Sequence, residues 1–203
     1  MRLILSLIIF FIGCAPITFS EIQNAKLVNK GEYELTPSMS IAHNTKNFGI
    51  QGAYGLSKNT NIRMRIERII IKTDFEEGRL LSYFNIKESL THFSTGVKYN
   101  LIKNRLALYI PVSFTLMDNT PGSQLFLIEP TLLSTFFGRS IFEINPSIKI
   151  ITNPKHITEP IWVANLGIGI SPDLRQWALR LEAGCLGLPR CMPQVSLGLS
   201  IYH

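Results

Sequence analysis

The chain has 203 residues, of which 46% are hydrophobic and 17% charged, and its formal net charge is +6. This length suits one domain, and the mild positive charge comes without a basic cluster, an RNA-binding signature or zinc-finger spacing, which argues against nucleic-acid binding. The composition is unusually apolar for a soluble protein, so the pattern of the apolar residues must indicate the fold class.

The start of the chain has the pattern of a secretory signal peptide. Arg2 leads into an unbroken apolar run over residues 3–13. This run is too short for a transmembrane helix, which needs roughly 20 apolar residues. No second long apolar segment follows, so the rest of the chain is not a helical membrane protein.

Two processing sites fit this signal. Small residues at Thr18 and Ser20 predict cleavage after Ser20, whereas Cys14 lies in a stretch that resembles a lipoprotein signal and would be acylated. In the first case residues 1–20 are the signal peptide. We then expect residues 21–31 to be an N-terminal periplasmic segment and residues 32–203 to be the folded domain.

Segments of alternating residues recur along the rest of the chain at spacings suited to hairpins. In one of them Met64 and Ile66 share a face, while Arg63 and Arg65 lie opposite. Many segments are about ten residues long, the length of a tilted membrane-spanning strand. The predicted strands are 32–43, 47–56, 61–71, 89–101, 105–117, 123–137, 141–152, 162–171, 177–186 and 194–203.

The connections between these strands alternate in length. Those after strands two, four, six and eight are short, those after strands three, five, seven and nine are mostly longer, and only the first connection departs from this rule. Short turns at one end and longer loops at the other are typical of outer-membrane barrels, with the short turns in the periplasm. The short turns are 57–60, 102–104, 138–140 and 172–176, and the longer loops are 72–88, 118–122, 153–161 and 187–193.

Aromatic residues on the apolar faces lie near both ends of the strands, as the two girdles of a membrane barrel do. The sequence therefore predicts an all-β fold, an antiparallel transmembrane β-barrel of about ten strands, with eight as the alternative. A soluble sandwich or lipocalin-like barrel also alternates, and it remains the competing class. The predicted girdles are Tyr33, Tyr54, Tyr99 and Trp177 at one end and Phe48, Phe93, Phe114 and Trp162 at the other.

Three stretches, 31–35 (GEYEL), 52–57 (GAYGLS) and 61–63 (NIR), resemble small Gram-negative outer-membrane β-barrel proteins, in which a Gly-rich strand, a turn and a strand with inward arginines follow one another. The resemblance implies location in the bacterial outer membrane and contact with its lipids. It also implies insertion by the barrel-assembly machinery through a C-terminal strand that ends in an aromatic residue. Here Tyr202 is penultimate and His203 terminal.

Charged residues fall on the faces opposite the apolar ones, which in a membrane barrel point into the lumen. Five acids and five bases make this set, so a balanced, salt-bridged lumen with a structural role is expected, and a small porin-like pore is the alternative. The predicted lumen network is Glu34, Arg63, Arg65, Glu67, Lys98, Glu129, Glu143, Lys149, Arg180 and Glu182.

The remaining signals are weaker. Cys185 and Cys191 flank a short loop, and in an oxidising compartment they can form a disulfide, with two free thiols as the alternative. We expect no cofactor and no metal site, and catalytic motifs are missing. A hydrolase at the barrel rim is the least favoured alternative, and no substrate, solute, surface partner or oligomeric state follows from the sequence. Its candidate residues are His43, Asp118, His156 and Glu159.

Overall fold

The computed structural model describes residues 21–42, 45–71, 89–118, 124–137, 141–154, 156–187 and 191–203, with the side chains at 124, 137 and 156–159 left out. The described residues contain no helix long and apolar enough to cross a membrane. The strands are β1 (Tyr33–Ala42), β2 (Thr45–Gly55), β3 (Thr60–Ile71), β4 (Leu90–Ile102), β5 (Leu106–Met117), β6 (Gln124–Ile128), β7 (Thr131–Ser134), β8 (Phe136–Phe137), β9 (Phe142–Asn153), β10 (His156–Ile170), β11 (Trp177–Leu186) and β12 (Met192–Tyr202).

These strands form one closed antiparallel sheet. From β1 to β5 and from β9 to β12, neighbours in sequence pair with one another, and β12 pairs with β1, for example through Leu35 opposite Ile201 and Ala42 opposite Gln194. Closure gives the first and last strands backbone partners on both sides, as a strand within hydrocarbon requires. The predicted antiparallel barrel is confirmed.

The three short segments β6, β7 and β8 occupy a single strand position between β5 and β9. Ser113 faces Leu127 in β6 and Ala107 faces Leu133 in β7, so the register does not slip between the two segments. Pro130 separates them because it has no N–H to give to the ladder. The barrel therefore has ten strand positions, and the ten-strand prediction is confirmed over the eight-strand alternative.

The two faces of the barrel are of opposite character. Met64 is 62% exposed on the outer face, while its neighbour Arg65 is only 4% exposed on the inner face. All eight predicted girdle aromatics are on the outer face, each between 37% and 51% exposed. An apolar exterior around a polar interior reverses the order of a soluble protein and is that of a transmembrane barrel.

The two ends of the barrel also differ. One end, the short-turn end, holds the tight turn in which Leu56 N–H and Ser57 N–H donate to Thr60 O, and the seam where Tyr33 N–H donates to His203 O. At the other end, the long-loop end, inward apolar side chains from six strands pack into one cluster, which we call the apolar layer. It consists of Ile69, Ile71, Leu90, Leu127, Ile151, Val163 and Leu186.

Candidate functional site: a plugged barrel lumen

The lumen contains the chain's own N-terminal segment. Residues 21–28, here called the plug, run without regular secondary structure inside the barrel, and all but two of them, Lys26 and Leu27, are fully buried. Asn29 and Lys30 are exposed at the short-turn end. The prediction of a periplasmic segment over residues 21–31 is therefore corrected: its first eight residues lie within the barrel, because the charged lumen offers partners for an irregular backbone.

Two strand glycines make room for the plug and the chain that follows it. A Cβ atom added at Gly55 would stand 1.9 Å from the carbonyl oxygen of Asn29, and one added at Gly198 would stand 2.7 Å from Cγ2 of Ile22. The N–H of Gly31, which has a positive φ of 84°, donates to Gly55 O at 2.9 Å. The inner wall is thus shaped to accept the backbone of Asn29 at Gly55 and the side chain of Ile22 at Gly198.

The backbone of the plug is hydrogen-bonded to lumen side chains. Glu182 accepts from the N–H of Glu21 at 2.9 Å with one carboxylate oxygen and from the N–H of Ile22 at 3.0 Å with the other. Further along, Thr135 Oγ1 accepts from the N–H of Ala25 at 2.6 Å. These three bonds satisfy N–H groups that an irregular buried segment would otherwise leave unpaired.

Lys98 binds the plug from the opposite wall. Its Nζ donates to the carbonyl oxygens of Asn24 and Lys26, at 2.5 and 2.9 Å. The side chains of the same two plug residues both contact Glu143: Asn24 Nδ2 donates at 2.9 Å and Lys26 Nζ pairs at 2.7 Å. Backbone and side chains of this stretch are therefore held at the same time.

The structure places the whole predicted lumen network inside the barrel, with every member buried. Two arginines of the network each pair with one carboxylate. Arg63 Nη1 lies 2.9 Å from Glu34 Oε2, and Arg180 Nη1 lies 2.6 Å from Glu143 Oε1. Arg180 also donates from Nη2 to the hydroxyl of Tyr202 at 2.6 Å, so the penultimate aromatic is tied to the network.

Arg65 is the hub of the remaining charges. Its guanidinium lies 3.3 Å from Glu129, 3.8 Å from Glu67 and 3.9 Å from Glu21. Lys149 pairs with two of the same carboxylates, Glu129 at 3.2 Å and Glu21. In the described part of the chain, Arg65 is the only cationic side chain that pairs with Glu67.

The sequence-based list missed residues that complete this network. Glu21 and Lys26 come from the plug, which has no strand periodicity to mark it. His92, inward by parity, places Nε2 3.1 Å from Arg65 Nη2 and 3.3 Å from Glu129 Oε1. One feature of the sequence could have indicated that another segment fills the lumen: Leu133 is an apolar residue on the inner face of the sixth strand position. It packs in a cluster formed by Ala25, Ala107, Tyr109 and Leu133.

At the long-loop end, Cys185 and Cys191 are joined by a disulfide with their Cα atoms 5.0 Å apart.

On the outer face, Arg68 of β3 pairs with Asp118, which follows β5, and Ser89 donates to the same carboxylate at 2.7 Å. The hydrogen bond from Arg68 holds the pKa of the Asp118 carboxyl below its ordinary value. The pair of Arg68 and Asp118 is partly exposed at the rim of the barrel.

The proposed rim hydrolase gains no support from this geometry. His43 and the side chains of His156 and Glu159 lie outside the described residues, and Asp118 pairs with Arg68. Cys14, the candidate for lipidation, also lies outside the described residues. Within the described ranges, no group of three or more His, Cys, Asp or Glu side chains could hold a metal ion.

The closed sheet, the apolar exterior with two aromatic girdles and the charged interior define the class: an antiparallel transmembrane β-barrel. No protein-family model matches the sequence, and the search of curated proteins finds no match.

Among solved structures, the chain is similar to a de novo designed transmembrane β-barrel, with 11% identity, a TM-score of 0.41 and coverage of 86% of this chain and 98% of the other. It is also similar to the KdgM porin in complex with disordered oligogalacturonate, with 8% identity, a TM-score of 0.44 and coverage of 84% and 98%. The translocator domain of the autotransporter NalP from Neisseria meningitidis is similar with 7% identity, a TM-score of 0.42 and coverage of 86% of this chain and 88% of the other. All three TM-scores lie below 0.5.

Proposed function

We propose that the protein is a sealed outer-membrane β-barrel with a structural role, in which the plug and the paired charges keep the lumen closed. The observation that carries this proposal is the occupied lumen: the plug enters from the short-turn end, and its first residue, Glu21, reaches the ion pairs of Arg65 and Lys149. Beyond them, the apolar layer lies at the long-loop end, where side chains from six strands pack together. The plug is therefore the main obstacle to an ion, and the apolar layer only narrows the path beyond it.

The balance of charge supports the same conclusion. A pore selective for ions of one sign is lined by an excess of the opposite sign. Here acids and bases contact one another directly, as in the pair of Arg63 and Glu34 at 2.9 Å. The alternative of a small conducting pore uses the same residues but needs them hydrated rather than paired.

The other alternative, a soluble lipid-binding barrel, requires an apolar cavity and a polar exterior. The described residues show the reverse arrangement, with Arg65 and Glu67 inside and Met64 and Ile66 outside. The outer face therefore supports a lipid-embedded barrel, and the outer membrane is the compartment in which exported barrels of this type reside.

The proposal is tested by planar-bilayer recording of three proteins: the chain beginning at Glu21, a chain beginning at Asn29 that lacks the plug, and the Arg65→Ala variant. We expect no steady channels from the first and measurable conductance from the second, because removing the plug empties the short-turn half of the lumen. Each protein must first show the heat-modifiable gel shift of a folded barrel. Steady channels from the intact chain, with conductance altered by Arg65→Ala and unfolding unchanged, would support the pore instead.

A further inference from the structure

We infer that Glu182 is a binding site for the chain's own α-ammonium group, which is created when the peptide bond between Ser20 and Glu21 is cleaved. This site lies at the tip of the plug and does not depend on whether the barrel conducts. The carboxylate of Glu182 faces two successive backbone nitrogens, those of Glu21 at 2.9 Å and Ile22 at 3.0 Å.

Glu182 is short of a cation. It is only 4% exposed, yet among the described residues no Lys or Arg side chain forms an ion pair with it. A buried carboxylate normally requires an opposite charge as well as hydrogen bonds, because desolvation opposes its ionised form. A neutral amide at Glu21 supplies the hydrogen bond but not the charge.

The ion pairs formed by Glu21 and its neighbours show the same deficit, since Lys98 is bound to carbonyl oxygens of the plug and forms no ion pair among the described residues. The ion pairs around the plug tip contain two Lys or Arg side chains, and four carboxylates share this region of the lumen. A group with one positive charge at the nitrogen of Glu21 would reduce this imbalance at the carboxylate that has no partner. The cations are Arg65 and Lys149, and the carboxylates are Glu21, Glu67, Glu129 and Glu182.

Cleavage of the chain supplies that group without further chemistry. A secretory signal peptidase uses one water molecule to hydrolyse the bond between the carbonyl carbon of Ser20 and the nitrogen of Glu21. The carbonyl side leaves as a carboxylate, and the nitrogen becomes an amine that is protonated at neutral pH. The same nitrogen then has three hydrogens, one of which already has its acceptor in place on Glu182.

The side chain of Glu21 holds this end in register. Its carboxylate pairs with Lys149 and lies 3.9 Å from Arg65, and neither of these cations forms an ion pair with Glu182. Processing at this bond thus creates a residue that pairs through both its ammonium and its carboxylate, and the mature N-terminus becomes the tip of the plug. A chain processed at Cys14 instead would carry seven more residues before Glu21 and no charge at this nitrogen.

The first test is the mass of the exported protein. We expect a chain that begins at Glu21 with a free amine. A chain that begins at Cys14 with an acyl group, retains residues 1–20, or has lost water through cyclisation of Glu21 would overturn the inference, since none of these has the ammonium.

The second test is a double-mutant cycle on refolded protein in phospholipid vesicles. Four chains are compared: beginning at Glu21 or at Ser20, each with Glu182 intact or as Glu182→Gln. Keeping Ser20 moves the ammonium away from the site. With Glu182 intact, we expect retention of Ser20 to destabilise the barrel and so to raise the unfolding equilibrium constant by about tenfold or more, the range for a hydrogen bond to a charged group. In Glu182→Gln the effect should largely vanish, whereas crowding by the extra residue would persist in both backgrounds and overturn the inference.

A third measurement covers the case in which Glu182→Gln does not fold. The α-amine of the folded chain beginning at Glu21 is labelled with a small water-soluble acylating reagent, and the rate is compared with that in urea. We expect strong protection in the folded barrel. Labelling at the unfolded rate would show that the amine is in water and not on Glu182.

Discussion

Arg65→Ala is expected to lower the free energy of unfolding of the barrel by about 3–5 kcal/mol, the cost of breaking a buried ion pair by removing one partner. The guanidinium contacts three carboxylates, and two of them, Glu129 and Glu21, keep Lys149 after the change. Glu67 is 1% exposed and has no other cationic partner in the described chain. The estimate therefore rests on one stranded carboxylate, Glu67, rather than on three.

The assay is urea unfolding of protein folded in phospholipid vesicles. Trp162 and Trp177 are the chain's two tryptophans and both lie on the outer face, so their fluorescence changes when the barrel leaves the lipid. Arg68→Ala is the matched control, because it removes the same side chain from the same strand. Arg68 is 43% exposed in its pair with Asp118, so its loss should change stability far less.

Two results would refute this reasoning. If Arg65→Ala and Arg68→Ala shift the unfolding midpoint equally, the burial of Arg65 does not determine how much it contributes to the free energy of unfolding. If Arg65→Ala leaves the unfolding curve unchanged, Glu67 is not stranded, and the lumen must be wet enough to hydrate it.

Further predictions concern the two faces, the plug seat and the last loop. Membrane-restricted thiol reagents should reach Met64→Cys and not Arg65→Cys, and the opposite result would contradict a lipid-facing exterior. Gly55→Ala should displace the plug and raise conductance, because the added Cβ would clash with Asn29, the residue that follows the plug. The control Gly52→Ala should leave conductance unchanged, since its Cβ would meet only one atom, at 3.9 Å. Equal effects of the two changes would exclude a steric cause. Reducing the disulfide of the last loop should lower stability by about 2 kcal/mol, measured from unfolding curves with and without reductant, and a protein indifferent to reductant would show that the bridge restrains nothing.

The barrel could be predicted from the sequence because a strand has only two faces. Once Met64 and Arg65 are assigned to opposite sides, period two fixes the side of every residue in that strand, and the charged set follows. The break in the sixth strand position was not predicted. Pro130 interrupts the ladder there, while the constant register on both sides keeps β6, β7 and β8 in line.

The plug escaped prediction for a physical reason. Its backbone is satisfied by side chains far along the chain, such as Thr135 and Glu182, so no local periodicity or turn chemistry marks it. The sequence also presents a balance of five acids and five bases, but it does not show which groups are neighbours. Lys98 and Glu182 bind plug backbone instead of each other, and that arrangement depends on the folded chain.

The seat of the plug has a consequence for the order of folding. Glu21 meets Glu182 across 161 positions, and Asn24 meets Glu143 across 119, so these contacts join residues that are far apart in the sequence. Loop-closure entropy makes such contacts late and slow to form. The first residues of the mature chain must therefore wait for β9 and β11, among the last strands to be made. A chain truncated before β11 lacks Glu182, the acceptor for the N–H groups of Glu21 and Ile22.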